Sequence, residues 1–326
     1  MTALHSRMRG PAGALLARFR RQRPLRGGSL IVTVFGDSIA PRGGAITLAS
    51  LIQVMAPFGL TERLVRTSVA RLAADDWLSS RRDGRYSEYR LSTRGEQRFI
   101  EATLRIYGGP AVCWNGGWTF VVAPGLAAAR RLRLRKLLRW KGFGEIDSGV
   151  LAHPMASPDS TREYLAMNDL ADAAILLECR AAPGGDSVRL VRHGWDLRDL
   201  AARYERLIRQ LESVGEALTR ESTPEPAAAF IVRTLLIHEY RKIHLRDPLL
   251  PHALLPADWP GTAAYELCRR LYWGVFSPAE AYLSAIAGRL DGALPAADGG
   301  VRRRFPPQRS AASMSPASSS GLSAGA

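Results

Sequence analysis

Between Thr61 and Gly95 the spacing of apolar positions changes from a helical to an alternating pattern. Leu64, Val65, Val69 and Leu72 fall within a roughly 140° arc of a helix that turns about 100° per residue. Arg63, Arg66, Thr67 and Ala70 share the opposite side, and Arg71 sits at its edge. Thr61 is a good N-cap with Glu62 just inside it, so this helix has a defined start. After Trp77, the segment LSSRRDGRYSEYRLS reads as two short strands joined at Asp83-Gly84, a dipeptide that favours a tight hairpin turn. Upstream, SLIVTVFGDSI (29–39) and LASLIQVMAPFG (48–59) are two further apolar segments, separated by a loop containing APRGG. Three helices followed by a hairpin is the order of a winged helix-turn-helix. The helix then offers Arg63, Arg66, Thr67 and, at the edge, Arg71 to DNA bases. Arg81, Arg82, Arg85 and Tyr86 lie on the wing, within reach of phosphates or the minor groove.

The helix RGEQRFIEATLRIYG closes this unit. The following stretch, Tyr107 to Ala129, carries no charge, but its glycines and prolines break it into a linker and a strand rather than a membrane helix. WTFVVA reads as a strand, 126–141 as a very basic helix, 149–153 as a weak strand, 160–167 as a short helix and AAILLECR as a strand. This alternation predicts a small ferredoxin-like domain. GFGEID has Asp147 where a dinucleotide fingerprint needs its third glycine, and no phosphate-binding GKS or GKT is present.

From Asp196 to about Leu218, Leu197, Leu200, Tyr204, Leu207, Leu211, Val214 and Leu218 alternate steps of three and four. Such spacing suits either a coiled-coil seam between two subunits or a long helix packed on its own domain. A further helix, AAAFIVRTLLIHEYRKIHL, and the Pro-rich loop RDPLLPHALLPADWPG follow. SPAE (277–280) has the form of a capping box at which the last helices meet. The expected class is α+β: a basic disordered arm (1–28), a winged-helix domain (29–108), a ferredoxin-like domain (109–195), a helical domain (196–294) and a Ser/Ala/Pro/Gly-rich disordered tail (295–326).

Charge adds a partner to this outline. Among 326 residues the formal net charge is +15. Residues 1–108 hold eighteen arginines against eight acids, a net of +10, so most of the excess sits on the unit with the exposed basic face. Cys113, Cys179 and Cys268 are far apart and form no C-x-x-C pair. Neither a disulfide framework nor a zinc site is expected, and a reducing cytoplasm fits.

Three separated stretches, in order, carry a family resemblance: the run from SLIVTVFGDSI to ARLAADDWL, the middle WNGGW with RWKGFGEIDSGVLAHP, and the late HEYRKIHLRDPLLPHALLPADWPG. Together they resemble the PaaX family of bacterial transcriptional repressors over residues 29 to about 290. The resemblance implies the three-domain organisation above and a homodimer on double-stranded operator DNA. It further implies repression of phenylacetate-degradation genes and release on binding phenylacetyl-CoA, with no catalytic cofactor. An acyl-CoA site needs guanidinium groups near aromatic or apolar walls. Two regions offer them: Trp118 with Arg131, Arg135 and Arg139, and Arg241, Arg246 and Asp247 with Trp259.

Enzymatic readings are weaker. HEYRKIH places His244 six residues after His238, about 240° around a helix, where a metalloprotease needs four. A metal-dependent nuclease is the other alternative, because ferredoxin-like folds occur in CRISPR-adaptation nucleases. WTFVVAPG, however, supplies no carboxylate at the end of the first strand to hold a divalent cation.

Overall fold

A computed structural model describes residues 11–22, 27–109, 114–182, 185–220 and 224–307. Residues 1–10, Cys113 and the tail from 308 onward lie outside this set. The protein combines helices with small antiparallel sheets, an α+β architecture.

The first described element is a helix, α1 (Pro11–Arg21), which corrects the expectation of a disordered arm over 1–28. Its Leu15, Leu16 and Phe19 are buried, with the Phe19 ring edge-on to Phe58 and His238. Three apolar residues on one helical face were enough to dock it; the exposed Arg18 between them and the flanking Arg20 and Arg21 mask the pattern in the sequence. Helix α2 (Gly27–Val34) continues through a π-helical turn, Phe35–Ile39. Its β-branched residues are poor helix formers, but complete burial of Leu30, Ile31 and Val34 overrides propensity. Strand β1 (Ala45–Thr47) leads into α3 (Leu48–Met55), and α4 (Glu62–Ala74) follows. The hairpin of β2 (Leu78–Asp83) and β3 (Tyr86–Leu91) completes a sheet of order β1-β3-β2. Asp83 pairs with Tyr86, so the turn residues are Gly84 and Arg85, one position beyond the expected dipeptide, with Gly84 at φ +53°. Helix α5 (Thr93–Tyr107) is capped by the Ser92 hydroxyl, which accepts from the Gly95 amide at 2.9 Å. A Cβ on Gly95 would lie 2.2 Å from the Trp77 carbonyl oxygen, so only glycine allows α5 to pass this close to the hairpin base.

The central unit runs β4 (Gly117–Val122), α6 (Ala128–Trp140), β5 (Gly144–Asp147), β6 (Val150–His153), α7 (Pro158–Ala166), β7 (Ile175–Arg180) and α8 (Asp186–Gly194). Its antiparallel sheet has the order β5-β6-β4-β7. Leu134, Leu138 and Leu165 of α6 and α7 pack with Val121 and Leu151. A separate cluster joins Trp118 and Ala152 to Val191 of α8 and to Leu250 and Leu254.

The remaining helices are α9 (Leu197–Arg220), α10 (Pro226–His244) and α11 (Pro260–Ile286). Leu200, Tyr204, Leu207 and Leu211 of α9 are buried with α10 and α11 residues of the same chain, so this apolar row is part of its own domain's core and not a seam between subunits. Helix α11 runs unbroken through Pro278, which corrects the expected helix start at SPAE. Proline costs one backbone hydrogen bond there, but Val275, Ala279 and Leu283 keep one face in the core across it. The short hairpin β8 (Gly288–Arg289) and β9 (Gly292–Ala293) follows. Beyond it the chain stays packed, against the expectation of a disordered tail from 295: Phe305 is buried against Tyr107, Tyr265 and Tyr272.

One hydrophobic core runs from α1–α4 into Phe230, Ile231 and Leu235 of α10 and Leu283 of α11, so the N-terminal unit and the C-terminal helices are packed as one. A buried ionic cluster lies between the same parts. Asp37 accepts from Tyr107 at 2.7 Å, Tyr272 at 3.1 Å, Arg233 Nε at 2.7 Å and Arg304 Nη1 at 3.0 Å. Glu280 pairs with Arg42 and Arg233.

Three buried histidines are kept neutral. Burial lowers His153 to about 4, aided by Arg105 and opposed by the Pro248 carbonyl. Burial, with Lys242 and Arg241, lowers His238 well below its ordinary value. Burial lowers His244 too, opposed by Asp247 and aided by Arg105. A depressed histidine pKa means that stability is complete above the unfolded value of about 6.5 and is lost as pH falls toward the folded value. The unfolding free energy should therefore drop between pH 6.5 and 4, by up to about 1.4 kcal/mol per pH unit for each histidine. Thermal melts across that interval check this, and a flat profile would contradict it.

Candidate nucleic-acid interface

Helix α4 divides its residues by face. Val65, Ser68, Val69 and Leu72 are buried, whereas Arg63, Arg66, Thr67 and Arg71 are all exposed. The start is fixed by Thr61, whose hydroxyl accepts from the Leu64 amide at 3.3 Å; a cap of this kind is worth about 1 kcal/mol. The Arg66 guanidinium contacts Glu62 one turn earlier, at 2.8 Å from Nε and 2.7 Å from Nη2. Both side chains are more than half exposed (56% and 59%), so the pair contributes about 0–1 kcal/mol and exchanges readily for another anion. The Thr67 hydroxyl donates to the Arg63 carbonyl at 2.8 Å, which leaves it an acceptor and a methyl group to present outward.

The hairpin beside α4 carries Arg81, Arg82, Arg85 and Tyr86, all exposed. The Arg85 guanidinium lies 5.2 Å from the centre of the Tyr86 ring. The hairpin is anchored from behind: Glu88, buried on β3, accepts from the Leu290 amide at 3.0 Å and so ties β3 to the β8–β9 hairpin. Two cations missed in the sequence border a cleft at the hairpin base, Arg90 of β3 and Arg94 in the first turn of α5. Their signal was the two arginines in RLSTR, which flank the Ser92 cap.

The expected effector residues are dispersed. Trp118 is buried on the side of the sheet shared with Trp114 and Trp195, where its indole donates to Ser187 at 3.2 Å. Arg131, Arg135 and Arg139 belong to α6, whose Leu134 and Leu138 pack in the other cluster; Arg131 and Arg139 are exposed and Arg135 pairs with Glu145 at 3.4 Å. The structure therefore does not bring Trp118 and these arginines into one site. In the second region Arg246 is exposed. Asp247 accepts from Tyr204 at 2.7 Å and Trp259 packs edge-on to Tyr204, so both serve the core of the helical domain. Arg241 reaches α2, where it donates to Thr33 at 2.8 Å and to the Ser29 carbonyl at 2.7 Å.

His238 and His244 are core residues in separate networks. His238 Nδ1 lies 2.8 Å from the Thr33 hydroxyl, and His244 Nδ1 lies 2.8 Å from the Tyr204 hydroxyl. Among the described residues no three His, Cys, Asp or Glu side chains are grouped to hold a metal ion, and no helix is long and apolar enough to cross a membrane.

Three family models match in chain order: "PaaX-like protein" over residues 26–95, "PaaX protein central Cas2-like domain" over 111–191 and "PaaX-like protein C-terminal domain" over 195–285. The chain is 35% identical over 287 residues to the transcriptional repressor PaaX of Escherichia coli (strain K12), a match that covers 86% of this chain and 90% of the relative. Among solved structures it is similar to the uncharacterized protein Rv0674 from Mycobacterium tuberculosis, at 25% identity and a TM-score of 0.47, with 71% of this chain and 89% of the other covered. The shared sequence runs through the basic-faced N-terminal unit, the central sheet and the C-terminal helices alike, and the chain belongs to the PaaX family.

Proposed function

We infer that this protein is a non-enzymatic transcriptional repressor of aromatic, specifically phenylacetate, catabolism genes. α2, α3, α4 and the β2–β3 hairpin then form a winged helix-turn-helix, and the βαββαβ order of the central sheet a ferredoxin-like domain. The observation that carries the reading is the face of α4: four side chains suited to DNA on a helix whose other face is built into the core. The 35% identity to the transcriptional repressor PaaX of Escherichia coli supports the repressor assignment. In this reading α4 enters the major groove with Arg63, Arg66 and Thr67 toward base edges and Arg71 at the margin. Arg81, Arg82 and Arg85 neutralise phosphates. Such a protein works in the cytoplasm. A homodimer, which the family resemblance implies, pairs through a surface other than α9. The effector that releases it is an aryl acyl-CoA, phenylacetyl-CoA in the first instance.

Fluorescence anisotropy with upstream operator DNA and with random DNA tests the interface. Arg63→Ala should cost about 1–3 kcal/mol on the operator and much less on random DNA. Removal of Arg81, Arg82 and Arg85 together should weaken both complexes and reduce the slope of log K against log salt by roughly 0.9 for each phosphate no longer neutralised. Equal losses from Arg63→Ala on both DNAs would reduce that residue to a phosphate ligand. An unchanged salt slope in the triple variant would remove the hairpin from the interface.

A further inference from the structure

A cavity of about 370 Å³ opens where the N-terminal unit, the central unit and the C-terminal helices meet. Val32 of α2, Trp77, Phe99 of α5, Trp140 at the end of α6, and Ile237 and Arg241 of α10 are among its walls. The deep end is closed by Ile237 and Phe99, which are buried, and the rim includes Trp140, which is 44% exposed. Arg98 lies near the rim, its guanidinium 4.6 Å from the Trp77 ring centre. Of the four effector residues expected from the late segment, Arg241 is the one the fold delivers to this place.

We propose that this cavity takes the aryl ring of the effector, with its acyl carbonyl toward Arg98 and the rest of the ester outside the rim. The inference rests on the aryl acyl-CoA reading above and adds the place and the means of coupling. The walls are mainly indole, phenyl and aliphatic surfaces, which favour a flat apolar group, with the Arg98 guanidinium on hand to fix its orientation. The volume is near the low end of the roughly 300–1,000 Å³ typical of small-molecule sites, which suits a single ring and a short arm rather than a whole coenzyme ester. Outside the rim, Lys141 lies 3.5 Å from Glu101 and offsets its charge, and the exposed Arg139 adds a further cation to meet phosphates.

The position supplies the coupling. Trp77 is the joint between α4 and β2, three residues past the end of one and one before the start of the other. Its ring lies edge-on to Phe99 at 5.7 Å. Phe99 in turn leaves no room at Gly36, where a Cβ would lie 2.6 Å from its ring. A ligand ring seated against Trp77 and Phe99 therefore changes the angle between the reading helix and the hairpin, and favours an arrangement that fits DNA less well.

Calorimetric titration with phenylacetyl-CoA, with free coenzyme A and with phenylacetate tests the site in the full-length protein, its Ala102→Trp variant and its Trp140→Ala variant, with operator affinity measured in parallel. Ala102, a half-buried wall residue away from the DNA face, becomes a plug for the cavity. The wild type should bind the ester more tightly than either fragment. Ala102→Trp should keep operator binding, lose about tenfold or more in ester affinity and no longer release DNA when ester is added. Trp140→Ala, at an exposed rim position, should also weaken the ester, and it carries the test if the plugged variant does not fold. Wild-type ester affinity in the folded variants would overturn the cavity and leave the effector reading standing. Failure of the wild type to bind the ester would remove the effector reading and the cavity's occupant together.

Discussion

Replacement of Asp37 by Asn should lower the unfolding free energy by about 3–5 kcal/mol, the cost of breaking a buried ion pair by neutralising one partner. The substitution is nearly isosteric, so the loss is electrostatic. Asp37 and Glu280 are the two carboxylates facing Arg42, Arg233 and Arg304, and with Asn at 37 three guanidinium groups share one. The amide's N–H₂ would also face donors, because Tyr107, Tyr272, Arg233 and Arg304 all direct hydrogens at the Asp37 carboxylate. At this chain length such a loss lowers the melting temperature by roughly five degrees. Burial by itself would raise the Asp37 pKa, but the charges of Arg233 and Arg304 and the hydrogen bonds from both tyrosines outweigh it and hold the carboxyl below its ordinary value. This stabilisation is complete above the unfolded carboxyl pKa of about 4 and is lost as pH falls through the folded value. The Asn variant should thus lack part of the wild type's acid-induced loss below pH ~4. Denaturant titrations at pH 7 and pH 3.5 measure both effects. A cost under about 1 kcal/mol at pH 7, typical of exposed pairs, would mean that solvent reaches the cluster.

The parts legible in the sequence were those fixed by neighbours in the chain. The face of α4 follows from a 3.6-residue period, and its start from a threonine cap, so Arg63, Arg66, Thr67 and Arg71 emerged on one exposed surface as expected. The hairpin followed from Gly84, with an error of one residue in the turn because Asp83 proved to be the last strand residue. The Asp37 cluster was invisible for the opposite reason. Its members come from five separate stretches, around 37–42, 107, 233, 272–280 and 304, and in sequence each is one more arginine, tyrosine or acid. Pro278 misled because a capping box reads the same whether or not a helix already precedes it, and only burial of Val275 and Leu283 on one face decides for continuity. Trp118 and the arginines of α6 looked like neighbours because they are close in sequence, but the intervening turn places them on different sides of the sheet.

The leucine row of α9 was ambiguous in principle, because knobs at steps of three and four suit a partner helix from the same chain or from another. Its burial against α10 and α11 makes Leu211→Ala a core deletion. The expected cost is about 2–5 kcal/mol, from the lost transfer free energy and the residual cavity. The two arrangements differ in how that cost responds to concentration. An intersubunit seam ties stability to protomer concentration by mass action, so a weakened seam shows its largest effect at low protein concentration. An internal core carries no such dependence. Urea titrations of the wild type and Leu211→Ala at two protein concentrations a hundredfold apart should therefore give the same difference in unfolding free energy, and sedimentation should give both proteins the same mass. A difference that shrinks at high concentration, together with a smaller sedimenting species for the variant, would return α9 to the subunit interface.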